Sequence, residues 1–205
     1  MTITMIVSQI TILLISIVIH ELAHAFTAYK LGDPTAKNLG RLTLNPIKHL
    51  DIIGSFILPA SLAIINSPVM LGWAKPVPVD CRYFKNPVKD MAKVAIAGPL
   101  SNIILACIGI LLFKLKLSTY IAVYQILYSF ILINLILAIF NLHPIPPLDG
   151  SRIIKLWLSP KWQFTLDRIE PFGILIIFGL LYFNIFDISF NFIIKYCQIV
   201  LLNGI

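Results

Sequence analysis

The pentapeptide His20-Glu21-Leu22-Ala23-His24 sets two imidazoles and one carboxylate at a spacing that suits metal chemistry. On an α-helix, residues four apart lie about 40° from eclipse and about 6 Å apart along the axis, so His20 and His24 share a face and can offer nitrogens to one ion. Glu21 lies near that face and can reach a water on the metal without ligating the metal itself. In such a site Zn²⁺ acidifies the water and the glutamate takes its proton as general base.

A two-histidine site needs a third protein ligand and an open position for water. The chain has nine acids. Glu21 is reserved as the base. Asp33, Asp51, Asp80 and Asp90 lie in polar stretches, and Asp33-Pro34 reads as a helix-ending turn. Asp167 and Glu170 belong to a mixed-charge loop, and Asp187 lies near the end of the last apolar run. Asp149 stands apart because it follows Asn141-Leu-His-Pro-Ile-Pro-Pro-Leu148, where three prolines fix φ and remove donors. A carboxylate on a stiff, apolar-flanked segment suits a metal ligand. Asp149-Gly150 would also serve as a turn capping the next helix through Ser151. The candidate metal ligands are thus His20, His24 and Asp149, with Glu21 as catalytic base. Asn141, eight residues before Asp149, is a candidate oxyanion donor at the membrane edge, or a cap that ends its span.

The elements that must position these groups are membrane helices. The fifteen residues Met5–Ile19 hold only Ser8, Gln9, Thr11 and Ser16 as polar breaks, so the motif sits inside an apolar run. Ionisable groups in hydrocarbon are costly and mark function by default. With 59% hydrophobic and 12% charged residues and a mean hydropathy of +0.92, the chain reads as an all-α polytopic membrane protein of one domain, 1–205, with about four to six transmembrane helices. Apolar runs lie at about 3–29, 52–71, 91–113, 120–140 and 171–201. Asn184, Asp187 and Asn191 break the last one, which is longer than one span requires. No cleavable signal pattern precedes the first run. Cys81, Cys107 and Cys197 show no CxxC spacing, so neither a disulfide framework nor a cysteine zinc site is indicated.

A shared metal requires His20, His24 and Asp149 to emerge on one side of the membrane. Were 52–71 to cross fully, Asp149 would emerge on the opposite side. Pro59, Ser61, Asn66 and Pro68 suit a re-entrant hairpin instead. Charge agrees: the re-entrant topology puts 13 of the 16 basic residues on one side and leaves Lys114, Lys116 and Lys195 on the other. The positive-inside rule then places the site at the cytoplasmic face of the cell membrane and the N-terminus outside. Lipid accounts for the net charge of +7, and no nucleic-acid partner is expected.

Taken together with Ala97-Gly98-Pro99-Leu100-Ser101-Asn102 and Asn141–Gly150, the histidine motif makes the chain resemble the site-2 protease family of intramembrane zinc metalloproteases (peptidase family M50). Gly40-Arg-Leu-Thr-Leu-Asn-Pro46 and Gly72-Trp-Ala-Lys-Pro-Val-Pro-Val79 are similar to its compact prokaryotic branch, without PDZ or CBS domains. The likeness covers about residues 15–155. It implies one zinc on His20, His24 and Asp149, water activation by Glu21, a role for Asn141 at the substrate carbonyl or oxyanion, and a membrane-protein substrate with a transmembrane segment. It also implies a small membrane-embedded β-hairpin near 39–46 able to pair with an unwound substrate.

Four further readings follow from the residues. Position 143 is histidine where the family usually has an apolar residue; His143 would stack at the interface, hydrogen-bond near the metal or compete as a ligand. His49 reads as an interfacial structural histidine. Gly98-Pro99 would kink its helix, with Asn102 packing or hydrogen-bonding the active-site helix. Water would enter past Thr27, Asn141 and the loop near Lys75. Two rival functions are a metal-ion transporter, for which the spans 91–113 and 120–140 lack relay acids or histidines, and a silent scaffold, which would not need Glu21.

Overall fold

The structure is a computed structural model and describes residues 3–57, 61, 64, 74–115 and 120–202. Its helices are α1 (Ile3–Lys30), α2 (Thr35–Asn38), α3 (Pro87–Lys114), α4 (Ile121–Leu142), α5 (Asp149–Ile154), α6 (Pro160–Ile169), α7 (Gly173–Tyr182) and α8 (Asp187–Leu202). Three of them, α1, α3 and α4, are long and apolar enough to cross a membrane. A fourth span arises if Pro160–Tyr182 and Asp187–Ile199 count as one, bent by 66°. The break falls where the sequence puts its polar residues: Asn184 takes a positive φ of 57°, a conformation asparagine tolerates better than most residues.

The packing inverts that of a water-soluble bundle. Ile6, Val7, Ile10, Leu13, Ile96, Leu100, Ile104 and Leu111 are exposed, while Ser16, His20, His24, Asn102, Asn134 and Asp149 are buried. Apolar side chains on the outside suit lipid, and the polar groups must find partners inside. On α3 the inward residues Gly98, Asn102, Ala106, Gly109 and Phe113 recur every three or four positions and are mostly small, which lets α1 and α4 approach its backbone. Gly98-Pro99 does not split the helix, which continues through Pro99 to Lys114. Its start is held by Asp90, whose carboxylate accepts the Asn86 N–H (3.0 Å) and the Lys93 ammonium (2.7 Å).

The expected β-hairpin near 39–46 is not formed, and there is no strand among the described residues. The backbone donors of this stretch are spent locally. The Leu39 N–H goes to Thr35 O and the Arg41 N–H to Ala36 O, closing α2, while Asn45 caps a 3₁₀ turn at Pro46–His49 through the Ile47 N–H. His49, 1% exposed, donates from Nε2 to Thr43 O, a structural contact. Most of the expected re-entrant stretch 52–71 lies outside the described residues; its start is a π-helical turn, Ile53–Ile57, with the Gly54 N–H on Asp51.

Among the described residues, two helices long and apolar enough to cross a membrane, α3 and α4, lie between His24 and Asp149. α4 stops at Leu142 because Pro144 disfavours the helical conformation for His143, whose ψ is 138°. Gly150 then lets the start of α5 sit against the end of α4, since a Cβ there would overlap the carbonyls of Leu142 and His143.

Candidate metal centre

His20 and His24 project from one face of α1, their ring centroids 4.6 Å apart and nearly perpendicular. Their Nε2 atoms are 3.0 Å from each other. Asp149, at the first turn of α5, brings Oδ2 to 3.1 Å from His20 Nε2 and 3.2 Å from His24 Nε2. All three residues are buried, none more than 8% exposed. The three candidate ligands read from the sequence thus meet at one point.

The arrangement fits a metal ion. Val94 O can only accept, so His24 donates to it from Nδ1 at 2.7 Å, which leaves Nε2 of a neutral ring without a proton. That lone pair faces a second imidazole nitrogen and a carboxylate oxygen, a cluster of acceptors that a cation would satisfy. Ligand atoms ~2.0–2.1 Å from one tetrahedral ion lie roughly 3.3 Å from each other, close to the distances seen. Gly98 backs the cluster: a Cβ there would overlap Nε2 of both histidines.

Glu21 sits beside the ligands, its carboxylate within 4.8 Å of the histidine donor atoms. By distance alone Glu21 would also qualify as a ligand. Asp149 comes closer to both rings, however, and Glu21 Oε2 is already engaged by the Val77 N–H at 2.9 Å. Val77 belongs to a strap without helix or strand, residues 74–79, which Arg41 clamps by donating from Nη2 to Lys75 O (2.6 Å) and Pro76 O (3.0 Å).

These groups share a cavity of about 450 Å³, lined also by Asn141, Pro76, Phe140 and the Arg152–Glu170 ion pair. Asn141 donates one N–H to Leu137 O at 2.9 Å. Thr27 is not among the lining residues, whereas the loop near Lys75 contributes Ala74, Pro76 and Val77. His143 is turned away. Its Nδ1 bonds back to Ile139 O, its Nε2 lies 3.2 Å from Ser189 Oγ, and its ring packs edge-on against Phe186, which settles it as a packing residue.

The geometry adds four residues: Gly98 as a floor, Arg41 and Val77 as the support of Glu21, and Asn134, which reaches His20 through Asn102. A sequence signal existed for the last: amides in two neighbouring spans must each find a partner.

Comparison with known proteins shows the family. The model of peptidase family M50 matches residues 113–182, which include Asn141 and Asp149. Over 174 residues the chain is 43% identical to "Putative zinc metalloprotease YwhC" of Bacillus subtilis, covering 80% of this chain and 75% of that protein. The chain belongs to peptidase family M50. It is also 31% identical to "Putative zinc metalloprotease Rip2" of Mycolicibacterium smegmatis, spanning 64% of that relative, and 29% identical to a "Zinc metalloprotease" of Methanocaldococcus jannaschii, spanning 43%. No solved structure matches the chain. This M50 chain is therefore a multi-pass membrane protein of a metalloprotease family.

Proposed function

We propose that the chain is an intramembrane zinc metalloprotease that hydrolyses peptide bonds in or beside the transmembrane segments of membrane proteins. One observation carries the reading: His20, His24 and Asp149, the last 129 residues from the first, point their ligand atoms at one place in a cavity between membrane helices. His20, His24 and Asp149 hold one Zn²⁺, which when bound polarises a carbonyl and acidifies water. Glu21 is the general base and returns the proton to the leaving amine, its carboxylate held by the Val77 N–H. Asn141 has a second N–H beyond the one given to Leu137 O, and this suits a developing oxyanion.

A substrate helix hides its amides in its own hydrogen bonds, so it must unwind to enter. Cleavage is therefore expected near Gly, Pro or Asn in a span. The distribution of basic residues supports a site at the cytoplasmic face.

The test is metal analysis of the detergent-purified protein together with cleavage of a single-span reporter that carries Gly-Pro in its helix. The expected result is one zinc per chain, lost in Asp149→Ala, with cleavage lost in Glu21→Gln while zinc is retained. Zinc retained by the Asp149 variant, or cleavage retained by the Glu21 variant, overturns the reading.

A further inference from the structure

Three buried residues on three helices form one directed chain of hydrogen bonds that ends on His20. Asn134 of α4 donates from Nδ2 to Phe130 O at 2.8 Å. Asn102 of α3 donates from Nδ2 to Asn134 Oδ1 at 3.0 Å and to Ser16 O of α1 at 3.3 Å. Asn102 Oδ1 then lies 2.6 Å from His20 Nδ1. Asn102 and Asn134 are both 0% exposed, so water offers neither amide an alternative.

The direction of this chain follows from its ends. Phe130 O and Ser16 O are backbone carbonyls and can only accept. Reversing the Asn102 amide would set its oxygen against Ser16 O and Asn134 Oδ1. Reversing both amides would set oxygen against oxygen at Phe130 and again at Ser16. One polarity alone leaves every contact with a donor, and in it Asn102 faces His20 with an acceptor.

We infer that Asn134, acting through Asn102, fixes the proton of His20 on Nδ1 and so presents Nε2 as a bare donor to the metal. Asn134 is a positioning residue. It touches neither metal nor substrate and acts through the amide it orients. The inference rests on the reading of His20 as a metal ligand. The two histidines are thus set by different means: His24 by the backbone of Val94, which side-chain replacement leaves in place, and His20 by two side chains. Without Asn134, Asn102 keeps only the longer contact to Ser16 O as its guide. The amide can then turn its NH₂ toward His20 Nδ1, and the ring proton moves to Nε2, where it blocks the metal.

The experiment uses the full chain in detergent with ¹⁵N-labelled histidine, His20 being assigned by its loss in His20→Gln. The metal-free wild type is expected to carry a proton on His20 Nδ1, whether the ring is neutral or an imidazolium that also donates to Asp149, and a ring with Nδ1 bare and the proton on Nε2 overturns the inference outright. Asn134→Leu is expected to shift His20 toward the Nε2–H form and to weaken zinc binding, read by chelator competition, by about 10- to 100-fold, as loss of an outer partner of a metal histidine does. Asn134→Ser restores both, because a serine hydroxyl can donate to the carbonyl four residues back while accepting from Asn102. A Leu variant that is folded, with wild-type tautomer and zinc affinity, overturns the inference. If the Leu variant does not fold, the wild-type tautomer decides. A wild type that binds no zinc but has the Nδ1 proton in place refutes the metalloprotease reading and leaves the relay standing.

Discussion

At the scale of single residues, the site is a division of labour between three acids and amides that look alike in the sequence. Asp149 is buried against two imidazoles, Glu21 faces the cavity with a backbone N–H on one oxygen, and Asn141 spends one donor on its own helix. Asp149→Ala removes one of three ligands and is expected to drop zinc content from one per chain to near zero, measured by atomic absorption. Glu21→Gln keeps the shape and the hydrogen-bond acceptor for Val77. It is expected to leave zinc content unchanged while lowering cleavage at least ~10²-fold, the lower range for losing a general base. The spacing of His20 and His24 and the proline-rich approach to Asp149 made their meeting at one place legible, because a helix period and a rigid turn are local properties. The support given to Glu21 by Val77 was not legible: it is a backbone contact across 56 residues, and no side-chain type announces it.

At the scale of elements, α3 is the spine against which α1 and α4 close, and its small residues decide how near they come. Gly98→Ala places a methyl group where both imidazoles stand. The variant is expected to lose zinc and to be destabilised by about 1–3 kcal/mol, the usual range for overpacking, read by thermal unfolding in detergent with and without added zinc. The apolar runs marked α1, α3 and α4 closely, and the polar residues of the last run marked its break at Asn184. The β-hairpin reading failed because Leu39–Leu44 alternates only weakly, and α2 and the turn at Asn45 absorb the backbone donors that a ladder would need. His143 resolved toward packing for a similarly local reason, since its ring nitrogens find Ile139 O and Ser189 without reaching the cavity.

For the whole molecule, the metal is expected to act as a clamp that joins α1 to α5 through ligands far apart in the sequence. A ligand bound only by the folded state adds stability of about 2.7 kcal/mol at one hundred times its Kd. Chelation should therefore lower the unfolding temperature of the wild type and leave Asp149→Ala unmoved. Orientation is testable on the same scale. Lys85 is exposed in the loop that follows the strap. In inside-out vesicles, Lys85→Cys is expected to react with an impermeant maleimide, and in right-side-out vesicles to be protected; the reverse pattern would invert the topology drawn from the basic residues.

The strap over Glu21 has one more consequence. Between Lys75 and Val79 the sequence is Pro76-Val77-Pro78, so a single amide proton exists there, and it rests on the Glu21 carboxylate proposed as the base. Nature has left one isotope-visible spin on the base. In a sample labelled with ¹⁵N-valine, that resonance is a native probe that needs no attached dye: its shift registers the state of Glu21 before any bond is cut. Replacement by glutamine should move it, and arrival of a substrate strand should move it again.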